Sequence, residues 1–92
     1  MTAREQAIQT LFKDASKDVH NLKNKPSDTE LLDLYANYKQ ATVGDVNIDK
    51  PSFYMFKEVS KWSAWSKLKG VSKLQAQVNY IKIVEELKQK YN

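Results

Sequence analysis

The chain has 92 residues, 41% of them hydrophobic, and 15 basic against 11 acidic side chains, a formal charge of +4. At that length one core burying roughly 60 to 65% of the unfolded surface is feasible and a second is not, so residues 1–92 are expected to form a single domain. The absence of cysteine excludes disulfides, thiolate nucleophiles and Cys-rich zinc clusters, and a single histidine, His20, leaves no His-based metal site without carboxylate help.

With two glycines and two prolines in the whole chain, hairpin-rich architectures lack their turn residues, and helices should dominate. Ala3, Ala7, Ile8, Leu11, Phe12, Ala15, Val19 and Leu22 recur at three- and four-residue spacings, predicting an amphipathic first helix that Asn24-Lys25-Pro26 breaks. Ser27-Asp28-Thr29-Glu30 has the pattern of a capping box, so a second helix is expected to begin there and run to about Thr42 before Gly44. Val43 to Pro51 reads as a loop. A third helix is expected over Phe53 to Lys69, with an irregular start, an apolar stripe through Phe56, Val59, Trp62, Trp65 and Leu68, and Gly70 as its stop. Ser72 to Gln75 repeats the capping-box pattern ahead of a long fourth helix carrying Leu74, Val78, Ile81, Val84 and Leu87. The short connections after helices one and three suit antiparallel neighbours, whereas the longer loop after helix two permits a crossover.

No apolar h-region opens the sequence, and the longest apolar run, Phe53 to Phe56, is four residues. That falls far below the roughly 18 needed to span a bilayer, so a soluble, cytoplasmic protein is expected. Charge is unevenly placed: residues 1–46 hold six basic and seven acidic side chains, residues 47–92 nine lysines against four acids. Between Lys50 and Lys73 six lysines face the single acid Glu58, which suits either an anionic partner or a solvated face. There is no phosphate loop, no Gly-x-Ser-x-Gly elbow and no HExxH pair, and Glu85-Glu86 lie among lysines. Binding is therefore favoured over catalysis. Tyr35, Tyr38 and Lys39 stand at i, i+3 and i+4, offering a π-face for stacking and a cation for phosphate, although tyrosines at this spacing also serve as core. Lys61-Trp62-Ser63-Ala64-Trp65 repeats the pairing of cation and aromatic, and there a packing role for both tryptophans is the stronger expectation.

The run Tyr35-Ala36-Asn37-Tyr38-Lys39-Gln40-Ala41-Thr42-Val43-Gly44-Asp45-Val46-Asn47, followed by Pro51, Lys61-Trp62-Ser63-Ala64-Trp65, Lys69-Gly70-Val71-Ser72 and the stretch from Ala76 to Ile81, closely resembles the acyl-CoA-binding protein (diazepam-binding inhibitor) family along nearly the whole chain. The resemblance implies an all-α, four-helix up-down-down-up bundle that binds medium- to long-chain fatty acyl-CoA esters without catalysis, as an intracellular carrier, buffer and pool former. It implies no cofactor and no metal, no nucleic acid, no stable membrane insertion beyond transient contacts with membranes or acyl-CoA-using enzymes, and a monomer. For the CoA head group the matching positions are Tyr35, Ala36, Asn37, Tyr38 and Lys39, the last at the 3′-phosphate, with Lys61 and Tyr80 at the phosphate and rim surfaces and Lys57 as a secondary site. For the acyl chain they are Phe12, Leu31 and Leu32, with Ser16 and Asp28 near the groove. His20 departs from the pattern by standing where the family commonly has a lysine, so a phosphate contact there is expected to be weaker; Met55 replaces a common acid, and the N-terminus is several residues longer than in short members. The competing expectation is a helical interaction module whose Lys50–Lys73 face meets a protein or nucleic acid, distinguished by a steep loss of binding with salt.

Overall fold

The computed structural model describes residues 1–92. Four α-helices, α1 (Ala3–Asp18), α2 (Asp28–Thr42), α3 (Phe56–Ser66) and α4 (Lys73–Tyr91), account for the regular structure, with one 3₁₀ turn at Val19–Asn21. Three helix starts are chemically specified. Ser27 accepts the Glu30 backbone N–H at 3.2 Å while Glu30 accepts the Ser27 N–H at 2.8 Å, so the expected capping box closes. Thr2 and Glu5 form a second box that the sequence reading passed over. At Ser72 only half the expected box forms: Ser72 Oγ accepts the Gln75 N–H, but the Gln75 amide donates forward to Asn79 Oδ1 at 2.9 Å instead of returning to the cap.

Helix directions follow from which residues meet. Phe12 and Asp18 of α1 face Tyr80 and Lys88 of α4, in the same order along both, so these helices run parallel. Glu30, Tyr38 and Gln40 of α2 meet Tyr91, Tyr80 and Val71 in descending order, so α2 runs against α4. Tyr35 and Lys39 of α2 meet Lys61 and Trp65, so α3 runs with α2. The result is an up-down-down-up bundle in which α4 supports α1 and α2, and α3 packs on the far side of α2. The backbones of α1 and α2 do not pack on one another; their side chains meet through Phe12 and Tyr38. A space is left between them over α4.

The core holds Phe12, Ala15, Leu34, Ala41, Ala76, Tyr80, Val84 and Leu87. At the opposite end from Glu30 the long loop is tied down by polar bonds. Fully buried Gln40 donates to the Val71 carbonyl at 2.7 Å and to Asp45 at 2.9 Å, and Asp45 also accepts the Gly70 N–H at 2.9 Å. These bonds, chiefly the one from Gly70, hold the Asp45 carboxyl below its usual range. Gly44 and Gly70 adopt φ of +96° and +92°, a conformation that other residues enter only with strain. The two indoles clamp the same loop, Trp65 Nε1 donating to the Gly44 carbonyl and Trp62 Nε1 to the Ile48 carbonyl, each at 2.8 Å.

Three expectations need correction. The first helix leaves the α form at Asp18, four residues before Leu22. The third covers Phe56–Ser66 and not Phe53 to Lys69: at its start Met55 supplies no capping side chain and its N–H closes a turn back to the Ser52 carbonyl, and at its end Leu68 and Lys69 bond three residues back, to Trp65 and Ser66, in turns ahead of Gly70. Trp62 is not core alongside Trp65: it is half-buried, lying under the loop.

Candidate functional site

Two adjoining clefts open on either side of α2. The first, about 490 Å³, is enclosed by Ser16, Val19 and His20 at the end of α1, Pro26 in the connection, Leu31, Leu34, Tyr35 and Tyr38 of α2, and Tyr80 below. The missing backbone contact between α1 and α2 leaves room for it: both helices rest on α4 without packing on each other. Its floor is an aromatic cluster. Phe12 meets Tyr80 edge-on with centroids 5.2 Å apart and stacks on Tyr38 at 5.8 Å, while Tyr38 and Tyr80 lie 5.9 Å apart, spacings at which ring quadrupoles attract. Phe12 and Tyr80 are buried, whereas Tyr38 is 43% exposed and presents ring surface to the cleft. Burial, with a smaller contribution from Tyr38, pushes the Tyr80 hydroxyl above its usual range, keeping it a neutral hydrogen-bonding group.

The second cleft, about 440 Å³, lies between the start of α2 and α3 and is bounded by Lys25, Asp28, Leu31, Leu32, Tyr35, Phe56, Lys57, Ser60 and Lys61. Leu31 and Tyr35 border both clefts, so the two adjoin along α2 and together make up a trough with Leu31 and Tyr35 between its halves. Three ammonium groups against one carboxylate make this wall cationic, and Leu31, Leu32 and Phe56 are its apolar lining. Lys61 reaches across from α3 to place Nζ 5.4 Å from the Tyr35 ring centroid, a cation–π distance that puts a charge and a stacking surface side by side.

Of the residues singled out from the sequence, Ser16, His20, Tyr35, Tyr38 and Tyr80 border the first cleft and Asp28, Leu31, Leu32, Lys57 and Lys61 the second, with Leu31 and Tyr35 shared. Phe12 lies beneath the first as packing for its tyrosines. Ala36 and Asn37 border neither cleft: both are buried, and the Asn37 amide donates to the Asp33 carbonyl one turn back. Lys39 also stands outside, its Nζ 5.0 Å from the Trp65 ring centroid. Lys25, Pro26, Leu34, Val19, Phe56 and Ser60 complete the walls without having been singled out as site residues. Lys25 and Pro26 were legible only as a helix break, since a wall role depends on how the connection folds back. No three His, Cys, Asp or Glu side chains converge as metal ligands. What the two clefts offer is apolar lining, aromatic faces and three lysines along the second, a set suited to a ligand that is anionic at one end and aliphatic at the other.

Comparison with known proteins gives the arrangement its context. A family model described as Acyl CoA binding protein matches residues 9–84. The chain is 47% identical to the acyl-CoA-binding protein of Saccharomyces cerevisiae over 85 residues, covering 92% of this chain and 98% of that protein. It is 51% identical to acyl-CoA-binding protein homolog 1 of Caenorhabditis elegans over 80 residues, covering 87% and 93%. In three dimensions it is similar to acyl-CoA-binding protein 2 of Oryza sativa, with a TM-score of 0.89, 34% identity and 92% coverage of both chains.

Proposed function

The chain belongs to the acyl-CoA-binding protein family, and from that premise we propose how its trough is used. It binds acyl-CoA and acts as a carrier. The reading proposed here is that residues 1–92 work as one acyl-CoA-binding domain with high affinity for medium- to long-chain esters, buffering and pooling them in the cytoplasm as a monomer without chemical turnover. The observation that carries it is that Tyr35, its ring faced by Lys61, borders both clefts.

The head group is assigned to the aromatic and lysine surfaces. Tyr35, Tyr38 and Tyr80 cover the nucleotide, Lys61 and Lys57 contact phosphate oxygens, and Lys39 moves from the Trp65 face to the 3′-phosphate, while His20 supplies a polar edge and Ala36 and Asn37 shape the α2 turn behind the tyrosines. Lysine suits this duty, because a compact hydrated charge on a flexible stem follows phosphates at a wet rim. The acyl chain lies along Leu31 and Leu32, with Asp28 and Ser16 at the groove edges and Phe12 holding the floor. No cofactor or metal is required. The protein takes no nucleic acid as ligand, and its contacts with membranes or acyl-CoA-using enzymes are transient. No helix is long and apolar enough to cross a membrane.

Isothermal titration of the delipidated protein with palmitoyl-CoA, with coenzyme A and palmitate as controls, tests this. Saturable one-to-one binding that needs both head and tail is expected, tightening about fourfold per added methylene until the groove is full, at about 0.8 kcal/mol each. Equal binding of coenzyme A and palmitoyl-CoA would overturn the assignment of the acyl groove, and unchanged affinity in Lys39→Ala would remove Lys39 from the phosphate grip.

A further inference from the structure

The connection between α1 and α2 lends one residue to each cleft, Pro26 to the first and Lys25 to the second, yet it has little of its own to hold it in place. Residues 23–26 make no hydrogen bond from backbone to backbone. The fastenings come from residues 90–92 at the far end of the sequence. Ahead of the wall residues, the Lys23 N–H donates to Asn92 Oδ1 at 3.4 Å. Behind them, the Glu30 carboxylate that accepts the Ser27 N–H also accepts the Tyr91 hydroxyl and, at 3.1 Å, the Lys90 ammonium. Lys25 and Pro26 therefore sit between two anchors, Lys23 and Ser27, each tied to the end of α4, Ser27 by way of Glu30. Pro26 narrows what is left, since its ring fixes its own φ and confines the residue before it, Lys25, to extended backbone. Glu30 is half-buried, and hydrogen bonds led by the one from Tyr91 hold its carboxyl at about 2, so the acceptor at the centre of this strap stays ionised at neutral pH. Neither Glu30 nor Tyr91 borders a cleft.

We propose that Tyr91 is a positioning residue for ligand binding: acting through Glu30, it holds the connection so that Lys25 stands at the second cleft as a preset cation for the anionic part of acyl-CoA. This rests on the carrier reading and adds to it a residue that touches no ligand. With the hydroxyl in place, the order of the connection is already present in the free protein. Without it, binding must impose that order, and affinity falls by the cost of doing so.

The test is Tyr91→Phe in the full chain, which keeps the ring that packs against the core and removes only the donor. Amide hydrogen exchange on the free protein should quicken at least about tenfold at Lys23 and Ser27, the two anchors. Calorimetric titration with palmitoyl-CoA should show binding weakened about fivefold, the cost of ordering roughly one side chain, and falling less steeply with salt than in wild type. In a Lys25→Ala background, Tyr91→Phe should add less than about twofold, because the group it positions is already gone. Lys88→Met supplies the control: it breaks the neighbouring ion pair to Asp18, borders neither cleft, and should leave palmitoyl-CoA affinity within about twofold whatever it does to the melting temperature. Unchanged affinity in Tyr91→Phe, full additivity with Lys25→Ala, an equal loss in Lys88→Met, or unchanged exchange at both anchors would each overturn the proposal. A wild-type protein that takes no palmitoyl-CoA, with exchange still quickened in Tyr91→Phe, would instead refute the carrier reading and leave the anchoring of the connection standing.

Discussion

Replacing Phe12 with alanine tests whether the site and the core are one structure. The ring is 92% buried by its neighbours, being 8% exposed, and is the piece through which the α1 and α2 side chains meet. Truncation of a buried phenylalanine costs about 3 to 5 kcal/mol, combining lost transfer energy with the void left behind. Two aromatic contacts, to Tyr80 and Tyr38, push toward the upper end. The open cleft directly above pushes toward the lower end, because water can enter the hole and relieve part of the cavity term. The balance is about 3 kcal/mol, or a fall in melting temperature on the order of 12 to 24 °C for a domain of this size. Urea and thermal unfolding followed by circular dichroism would measure it, with Phe12→Leu as a control expected to lose only about 1 kcal/mol. Because Tyr38 loses its stacking partner, Phe12→Ala should also weaken palmitoyl-CoA binding, whereas Phe12→Leu should weaken it much less. A Phe12→Ala protein within about 1 kcal/mol of wild type would refute the claim that this ring joins floor and core.

At the rim, Lys61→Ala is expected to weaken palmitoyl-CoA binding about tenfold, the low end for a charge-assisted hydrogen bond because the site is wet. A double-mutant cycle of Lys61→Ala with Tyr35→Leu, read by calorimetry, should show a coupling of about 0.5 to 1 kcal/mol, and strict additivity would mean that the ammonium and the ring act separately. At the start of α2, hydrogen bonds from Tyr91 first, then the Ser27 N–H and Lys90, lower the Glu30 carboxyl from 4.5 to about 2. A depressed carboxylate stabilises the fold at pH values above its unfolded value and loses that effect as pH falls through the folded one. Glu30→Gln should therefore be less stable than wild type at neutral pH, with the gap closing between about pH 4.5 and pH 2; a gap of constant size across that window would sink the assignment.

What could be read from the sequence was what local physics decides. Apolar stripes placed four helices, and the Ser27–Glu30 box placed the start of α2 within a residue, because a cap is a contact between residues three apart. Thr2 and Glu5 have the same three-residue spacing and close the same kind of box at the start of α1. The start of α3 was misjudged because an apolar run looks alike in a helix and in an exposed turn. The burial difference between Trp62 and Trp65 was illegible for a related reason: three-residue spacing puts both on one face, and only the returning loop makes one of them a clamp on Ile48. The up-down-down-up order of the helices is what the resemblance implied, and the pairings across the bundle carry it. Site residues were named chiefly through the resemblance, and the clefts that gather most of them depend on α1 standing apart from α2 over α4 and on α3 packing beside α2, tertiary facts with no signature in any one helix. Lys39 on Trp65 is likewise a side-chain placement that periodicity does not encode.

The parallel pairing of α1 with α4 also bears on how the chain reaches this structure. Asp18 meets Lys88 across 70 residues, and the Lys23 N–H reaches Asn92 Oδ1 at 3.4 Å, so the two ends of the chain must find each other early or wait. Closing a loop of that length costs roughly 4 kcal/mol in chain entropy before any reward from packing. Helical proteins usually fold fast because their contacts are local, and this topology gives up part of that advantage. If the arrival of the last helix on the first limits the rate, substitutions along that seam should slow folding and those between α2 and α3 should mainly hasten unfolding, a split that stopped-flow refolding and unfolding rates of the two sets of variants would measure.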